Sequence, residues 1–288
     1  MHPSLQRRIQ RYGWDLAAGH YERCWRAHLE EPQAALFALA PAPPGSRVLD
    51  TACGTGLVAC QAARTVGPGG DVLGIDLSAR MIERAQHNAT RHGLTNARFE
   101  RMDAEAIACP DASFDLAYCG FGLMYMPAPE RGLGELRRVL RPGGRVGLTV
   151  WGERTRCGWS TLFPIIDAEV SGEVCPLFFR LGSQGELARL CTEAGFTGVR
   201  QRRVPLMLDF AGAEEACDAV LVGGPVALAW SRFDEAVRAR VRARYLDAIA
   251  PWRHAAGYRI PTEYLAVTAV VPGADADPDF TSARRDWS

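Results

Sequence analysis

The sequence of 288 residues contains no lysine, so all 33 of its basic residues are arginines. Its 33 acidic residues balance them, and the formal net charge is zero. Domains that bind nucleic acid usually carry a basic excess. The composition therefore predicts no nucleic-acid partner. The exclusive use of arginine indicates a GC-rich, bacterial genome more than a function.

Long apolar runs are missing as well. None reaches the roughly 20 residues that cross a membrane, and the first eight residues lack the apolar core of a signal peptide. The nine cysteines are scattered, odd in number and contain no C-x-x-C pair. This pattern excludes a disulfide framework or a zinc ribbon. We therefore expect a cytoplasmic protein with reduced thiols, no membrane span and no metal.

Apolar residues make up 48% of the chain, enough for a sizeable core. Short strand-like runs alternate five times with helical patterns between residues 47 and 151. Such alternation predicts an α/β fold with a doubly wound, mostly parallel sheet. In sheets of this kind ligands bind beyond the carboxyl ends of the strands, near the point where the strand order reverses.

A glycine-rich turn follows the first strand. Val48 and Leu49 are strand formers, and Gly54 and Gly56 allow a sharp turn into a helix whose N-terminus attracts negative groups. The same pattern fits a dinucleotide-binding loop. Asp50 at the end of the strand argues for a ligand with a cationic end, because a pyrophosphate needs bare N–H groups there.

Polar or small residues close three further strands. Asp76 ends the second strand, where a carboxylate can accept hydrogen bonds from both hydroxyls of a ribose. Asp103 follows the third strand and Cys119 ends the fourth. Because the carboxyl ends of parallel strands share one edge of the sheet, we expect these groups to line one site. Ser78 is the expected N-cap of the next helix.

Four features together resemble the class I S-adenosylmethionine-dependent methyltransferases of the ubiquinone/menaquinone-biosynthesis type (methyltransferase 11). They are Asp50-x-Ala-Cys-Gly-Thr-Gly, Asp76, Asp103-Ala-Glu, and Arg141-Pro-Gly-Gly before the fifth strand. The resemblance covers residues 44–151 well and the first 40 loosely. It implies a Rossmann-like, seven-stranded sheet whose final strand, residues 264–271, is antiparallel, with helical cap insertions. It also implies S-adenosylmethionine as cofactor and S-adenosylhomocysteine as product.

The resemblance also implies the residues of the cofactor site. The loop from Asp50 to Gly56 would hold the methionine part, Asp76 the ribose, and Asp103 the adenine amino group. One departure is Ala52, where many members have glycine. The full expected set of cofactor-binding residues is Tyr21, Asp50, Ala52, Cys53, Gly54, Gly56, Asp76, Leu77, Met81, Asp103, Ala104, Cys119 and Gly120.

The aromatic residues predict the acceptor site. Trp14, Tyr21, Trp25 and His28 are spaced as one helical face, which either packs on the body or covers a ligand. The residues expected to contact the acceptor are Trp14, Trp25, Met124, Tyr125 and Trp151. Their character favours a small, aromatic or apolar acceptor. No spacing singles out a catalytic base among the candidates His20, His28, Tyr21, Tyr125, Glu153 and His254.

The expected organisation is an N-terminal lid at 1–43 and a core at 44–151 that continues at 183–211 and 261–272. Cap insertions are expected at 152–182 and 212–260, and a disordered tail at 273–288. We expect a monomer or a homodimer that methylates a small molecule. Two alternatives stay open: a nicotinamide-dependent oxidoreductase, and a protein that binds S-adenosylmethionine without methylating.

Overall fold

The computed structural model describes residues 3–170 and 178–273. Its helices are α1 (Pro3–Ala17), α2 (Tyr21–Leu39), α3 (Leu57–Val66), α4 (Ala79–Arg91), α5 (Pro129–Val139), α6 (Leu162–Asp167), α7 (Glu186–Glu193), α8 (Ala213–Leu221), α9 (Ala227–Arg232) and α10 (Glu235–Ile249). Its strands are β1 (Arg47–Thr51), β2 (Asp71–Asp76), β3 (Ala97–Arg101), β4 (Phe114–Gly120), β5 (Leu140–Trp151), β6 (Thr197–Phe210), β7 (Arg253–His254) and β8 (Gly257–Val270).

One sheet organises the fold, with the strand order β3-β2-β1-β4-β5-β8-β6. The first five strands in this order are parallel, and β8 runs antiparallel between β5 and β6. The two-residue β7 pairs with β8. The doubly wound sheet with an antiparallel late strand is confirmed. The strand order reverses between β1 and β4, which is where a ligand is expected.

Apolar residues cover both faces of the sheet. Successive side chains of a strand point to opposite faces, and Val48 and Leu49 accordingly belong to two different hydrophobic clusters. The smaller cluster contains α3 and α4, while the larger contains α5, α7 and most of the C-terminal helices. Within the described residues, no helix is long and apolar enough to cross a membrane.

Three expectations about local structure are wrong. The Arg141-Pro-Gly-Gly motif, expected before the fifth strand, lies inside β5, because Leu140 already pairs with Phe114 and the register shifts before Arg145. The N-terminal aromatic face does not lie on one helix, because a turn at residues 18–20 separates Trp14 on α1 from Tyr21 on α2. The helical cap insertion expected at 212–260 is helical only as far as Trp252, and the last strand begins at Gly257 instead of Tyr264. In that strand Tyr258 and Ile260 are buried and Arg259 is exposed. This alternation of period two is a strand signal.

Some expectations fall outside the described residues. They are the tail from residue 274 onward and residues 171–177 of the 152–182 insertion, which include Cys175. The eight described cysteines are all free thiols.

Candidate functional site

The loop after β1 depends on unusual backbone geometry. Gly54 and Gly56 have φ angles of 54° and 83°. A Cβ on Gly56 would come within 3.1 Å of both Ala85 and Phe99, so this glycine lets α3 pack closely on α4 and β3. Ala52 also has a positive φ, 53°. Strain of this kind tends to collect at functional sites.

Ala52 stands where the family that the sequence resembles often has glycine. A glycine in the neighbouring loop compensates for this larger residue. A Cβ on Gly122 would lie 2.3 Å from the Ala52 methyl group. The glycine at 122 therefore leaves the room that the alanine at 52 occupies. The two residues lie on the loops after β1 and β4, and both loops line the cavity described below.

Asp76 connects the end of β2 to the glycine loop. Its carboxylate accepts hydrogen bonds from the N–H of Gly54 at 2.9 Å and from the N–H of Ser78 at 2.8 Å. Burial raises the pKa of Asp76 to about 6, although both N–H donors act to lower it. Each carboxylate oxygen accepts more than one hydrogen bond. The carboxylate can therefore still receive the hydroxyls of a diol.

Asp50 at the end of β1 is 1% exposed, and its Oδ2 atom has no hydrogen-bond partner among the described residues. Burial raises the pKa of this carboxyl well above its usual range. The residue lines a small cavity that it shares with Tyr21, Gln33 and Gly54. A buried, unpartnered carboxyl is costly, and a cationic group entering this cavity would give it a partner.

Helix α1 is bound to the loop after β2. Asp15 accepts a hydrogen bond from the Ser78 hydroxyl at 2.6 Å and from the Arg80 N–H at 3.2 Å. The Ser78 hydroxyl in turn accepts from the Met81 N–H at 3.1 Å, which confirms Ser78 as the N-cap of α4. Ser78, whose N–H donates to Asp76, is thus hydrogen-bonded to both α1 and α4.

A second connection joins α1 to the loop after β3. The Arg7 guanidinium donates to Glu105 at 2.9 Å and lies 3.5 Å from Asp103. Glu105 is 3% exposed and also accepts from the Ala128 N–H at 2.7 Å. Asp103 keeps its orientation because its Oδ1 atom accepts from the Glu105 N–H at 2.9 Å. Arg7 therefore ties α1 to the two acids of this loop.

These loops surround a cavity with about 1020 Å³ of empty space, part of it open to solvent. The carboxyl ends of five strands line it in the order of the sheet: Asp103 after β3, Asp76 on β2, Ala52 and Gly54 after β1, Gly120 and Phe121 on and after β4, and Trp151 on β5. Five neighbouring strands span roughly 19 Å. The acids occupy one half of this rim and the aromatic residues the other.

The aromatic half is built from side chains of α1, α2, the loop after β4 and the end of β5. Tyr125 contacts Trp14 with ring centroids 5.0 Å apart, and Phe121 contacts Trp151 at 4.5 Å. Trp25 lies 6.0 Å from Trp151, and its indole N–H donates at 3.0 Å to the carbonyls of residues 219 and 223. Gly224 and Pro225, next to that anchor, also line the cavity. Residues 219–225 thus complete the wall of the aromatic half.

The structure brings most of the sequence-predicted residues to this cavity. Those that line it are Tyr21, Ala52, Gly54, Asp76, Leu77, Met81, Asp103, Ala104 and Gly120 from the expected cofactor set, and Trp14, Trp25, Tyr125 and Trp151 from the expected acceptor set. Asp50 and Cys53 line the small adjoining cavity. Gly56, Cys119 and Met124 line neither, since Gly56 packs against Phe99 and the other two side chains are buried in the core.

Sequence reasoning missed the polar residues that the N-terminal helices contribute. Arg7 and Gln10 of α1 line the main cavity, and Gln33 of α2 lines the small one. The sequence indicates Glu105 only as part of the Asp103-Ala-Glu motif. Arg7 and Gln10 lie seven and four residues before Trp14 on α1, and this spacing was the available signal, because it places them on the helical face of Trp14.

The candidate bases are not gathered at the aromatic half. Of the six, Tyr21 and Tyr125 line the cavity, while His20, His28, Glu153 and His254 are not among the described residues that do. Burial, with a smaller contribution from Asp76 and Asp50, raises the pKa of Tyr21 above its ordinary value. Its phenol therefore stays protonated at neutral pH and acts as a hydrogen-bond donor. No cluster of described residues has the make-up of a metal site.

The family model of a methyltransferase domain matches residues 48–144. The ubiquinone/menaquinone biosynthesis C-methyltransferase UbiE of Stutzerimonas stutzeri is 31% identical over 216 residues, which are 74% of this chain and 80% of that protein. The chain belongs to the S-adenosylmethionine-dependent methyltransferases of this type. The demethylmenaquinone methyltransferase of Geobacillus kaustophilus is 29% identical over 222 residues, 69% of this chain and 92% of that protein.

The fold is also similar to that of a protein named for a reaction other than methyl transfer. The crystal structure of the [4+2]-cyclase SpnF superposes with a TM-score of 0.56 at 23% identity, over 87% of this chain and 83% of that one. At this identity the likeness concerns the fold alone. Neither alternative that the sequence left open, an oxidoreductase or a non-methylating binder, finds support in the family model or in the two relatives.

The methyltransferase site fits its cofactor, S-adenosylmethionine. The unpartnered Asp50 oxygen suits the ammonium group of the methionine part, and the Asp76 carboxylate suits a ribose diol. Around Asp103, the apolar side chains of Leu77, Met81 and Met102 line the place that an adenine ring needs. The carboxyl groups of the acidic half thus lie where they can accept hydrogen bonds from the ammonium, the ribose and the adenine amino group of this cofactor.

Proposed function

We propose that this methyltransferase acts on a small, flat, apolar acceptor whose nucleophilic atom lies in the aromatic half of the cavity. One observation carries the proposal: no carboxylate and no histidine occurs among the described residues that line this half. The lining is instead aromatic or apolar, with the phenols of Tyr21 and Tyr125 as its ionisable groups. Such walls bind a flat ring by edge-to-face contacts.

The lack of a base in the aromatic half restricts the chemistry. A base is needed only when the nucleophile holds a proton of high pKa. An electron-rich aromatic carbon meets this restriction, because its π electrons displace S-adenosylhomocysteine from the methyl group and the ring proton of the resulting cation is acidic enough to leave without a strong base. One relative is named as a ubiquinone/menaquinone biosynthesis C-methyltransferase and the other as a demethylmenaquinone methyltransferase. A hydroquinone ring is therefore the acceptor class that we propose, with transfer to carbon.

The roles of the residues follow from where they lie. The cofactor supplies a methyl group already activated on a sulfonium, so the protein has to align the acceptor and exclude water. Asp50, Asp76 and Asp103 would fix the cofactor from its methionine to its adenine end. The rings of Trp25, Trp151 and their neighbours would hold the acceptor in line with the methyl–sulfur bond and keep water away.

We propose that α1 and α2 form a lid over this site. Support comes from the two connections of α1 to the cofactor loops, at Arg7 and at Asp15. Hydrogen exchange in residues 10–30 should slow when S-adenosylhomocysteine is added, and a chain without residues 1–40 should lose methyl transfer while its core stays folded. Unchanged exchange, together with full activity of the shortened chain, would rule the lid out.

The test of the acceptor class uses two matched hydroquinones. Reduced menadione has a free ring carbon beside its methyl group, and in its dimethyl analogue that carbon is already methylated. We expect S-adenosylhomocysteine to form with the first and not with the second. Equal turnover of both would show transfer to oxygen. Turnover of ethanolamine without turnover of either hydroquinone would refute an aromatic acceptor.

The eight described free cysteines support a reducing compartment, the cytoplasm, as the place of action. Chain composition supports a bacterial source, and a role in small-molecule or secondary metabolism accords with the proposed acceptor.

A further inference from the structure

Exposed large apolar side chains are concentrated on one helix. In the described parts of the chain they are Leu5, Tyr12, Leu16 and Met207, with exposed fractions of 38, 46, 47 and 42%. The first three belong to α1 and are seven and four residues apart, so they share one helical face. The opposite face of α1 lines the cofactor cavity with Arg7, Gln10 and Trp14. Helix α1 thus has a functional inner face and an apolar outer face.

Helix α9 extends the outer face. Leu5, Ile9 and Tyr12 of α1 form a shallow groove with Leu228 of α9. The two helices approach closely at Gly13, where a Cβ would lie 3.7 Å from the Leu228 side chain. The exposed apolar surface is therefore continuous across both helices. We call it the α1–α9 face.

Arginines flank this face. Arg8 and Arg232 line the groove, and the Arg11 guanidinium lies 4.5 Å from the centroid of the Tyr12 ring. Within residues 3–170 and 178–273, none of the three forms an ion pair. The one acid of α1, Asp15, is bound to Ser78.

The basic character of the α1–α9 face is local, because the whole chain has no net charge. Two acids, Asp234 and Glu235, follow Arg232 where α10 begins, and Asp234 is the N-cap of α10 and accepts from the Val237 N–H at 2.8 Å. Neither is among the described residues that line the groove, whose charged side chains are Arg8 and Arg232.

We propose that the α1–α9 face docks on an anionic membrane surface. Leucines and tyrosine on one helical face, flanked by arginines, are typical of helices that lie in the membrane interface. The arginines would contact lipid phosphates, and the apolar side chains would enter the boundary of the acyl chains. A second copy of the chain fits less well, because a two-fold contact through this face would bring its arginines together.

Docking would bring the cavity close to the bilayer, since α1 lines the cavity with one face and would contact the membrane with the other. It would give an apolar acceptor a short path from the lipid, and this consequence alone rests on the proposed function. The docking itself depends only on the exposed face.

The test is sedimentation with vesicles, either of phosphatidylcholine alone or with one third phosphatidylglycerol. Wild type should bind the anionic vesicles at least tenfold more tightly. The double variant Arg8→Gln/Arg11→Gln should bind them about 30-fold more weakly than wild type. The triple variant Leu5→Ser/Tyr12→Ser/Leu16→Ser should lose binding. The matched control, Met207→Ser, removes the exposed apolar side chain of β6 and should bind like wild type.

Two controls keep the outcome clear. Each variant should bind S-adenosylhomocysteine in solution as wild type does, which shows that α1 is still folded and in place. Failure of wild type to bind anionic vesicles would overturn the proposal, as would equal losses in the triple variant and in Met207→Ser. A dimer in solution that the triple variant abolishes, without vesicle binding, would assign the face to a second copy instead.

Discussion

Replacing Arg7 by alanine should weaken cofactor binding although the residue lies on α1, outside the sheet. The change removes the 2.9 Å hydrogen bond to Glu105 and leaves that buried carboxylate with the Ala128 N–H as its remaining described partner. A hydrogen bond to a charged group contributes about 1.5–3 kcal/mol. The Arg7 side chain is 29% exposed, so solvent screening lowers the expected loss to about 1–2 kcal/mol.

S-adenosylhomocysteine is expected to bind the conformation in which α1 covers the loops. The loss of about 1–2 kcal/mol from that conformation should then weaken its affinity roughly 5- to 30-fold. Calorimetry measures it, and hydrogen exchange of α1 should become faster. Arg8→Ala is the matched control, because its side chain is exposed and forms no ion pair among the described residues. Its affinity in solution should equal that of wild type.

A double-mutant cycle isolates the contact. Glu105→Gln alone should also weaken binding, and adding it to Arg7→Ala should cost little more, because the shared contact is already lost. Additive losses would mean that Arg7 acts through another partner. Wild-type affinity and wild-type exchange in Arg7→Ala would refute the idea that this pair holds α1 over the cofactor.

Three further predictions follow. Asp76→Ala should weaken cofactor binding by about 2–4 kcal/mol and Asp103→Ala by about 1–2 kcal/mol, because two charge-assisted hydrogen bonds are lost in the first case and one in the second. If calorimetry finds the reverse order, Asp76 is not the residue that binds the ribose. The pKa of Asp76 is raised to about 6, and its protonated form is a poorer acceptor; affinity should therefore fall by up to tenfold per unit as the pH drops below 6. Asp76→Asn should bind weakly and lose this fall, and a fall below pH 6 that survives in it would assign the titration to another group. Gly122→Ala should lower the free energy of unfolding by about 1–3 kcal/mol through its clash with Ala52. Adding Ala52→Gly should restore part of that loss in chemical denaturation, and no recovery would show that the clash lies elsewhere.

The parallel half of the fold was predictable because its signals are local. The strand Asp71–Asp76 ends at the expected residue, and the acids at 50, 76 and 103 line the two adjoining cavities, since parallel strands must end at one edge. Hydrophobic alternation and turn residues suffice for this part. The site residues taken from these strand ends therefore needed no tertiary information.

The features of the fold and site that the sequence does not predict depend on contacts between distant segments. Nothing in the sequence pairs Arg7 with Glu105, 98 positions away, or Trp25 with the carbonyls near residue 220. The break between α1 and α2 is another case, because one turn at Gly19 interrupts an otherwise continuous helical pattern. Likewise, β8 starts seven residues before its expected position, since its first half pairs with the long β6 instead of with β5.

A crystal structure of the complex with S-adenosylhomocysteine tests the central claim most directly. We predict that both ribose hydroxyls lie within hydrogen-bond distance of the Asp76 carboxylate and that the adenine lies beside Asp103. The ammonium group should contact Asp50, and the sulfur should face the rings of Trp25 and Trp151. A complex with the ribose away from Asp76, or with the sulfur turned from the aromatic half, would contradict the account.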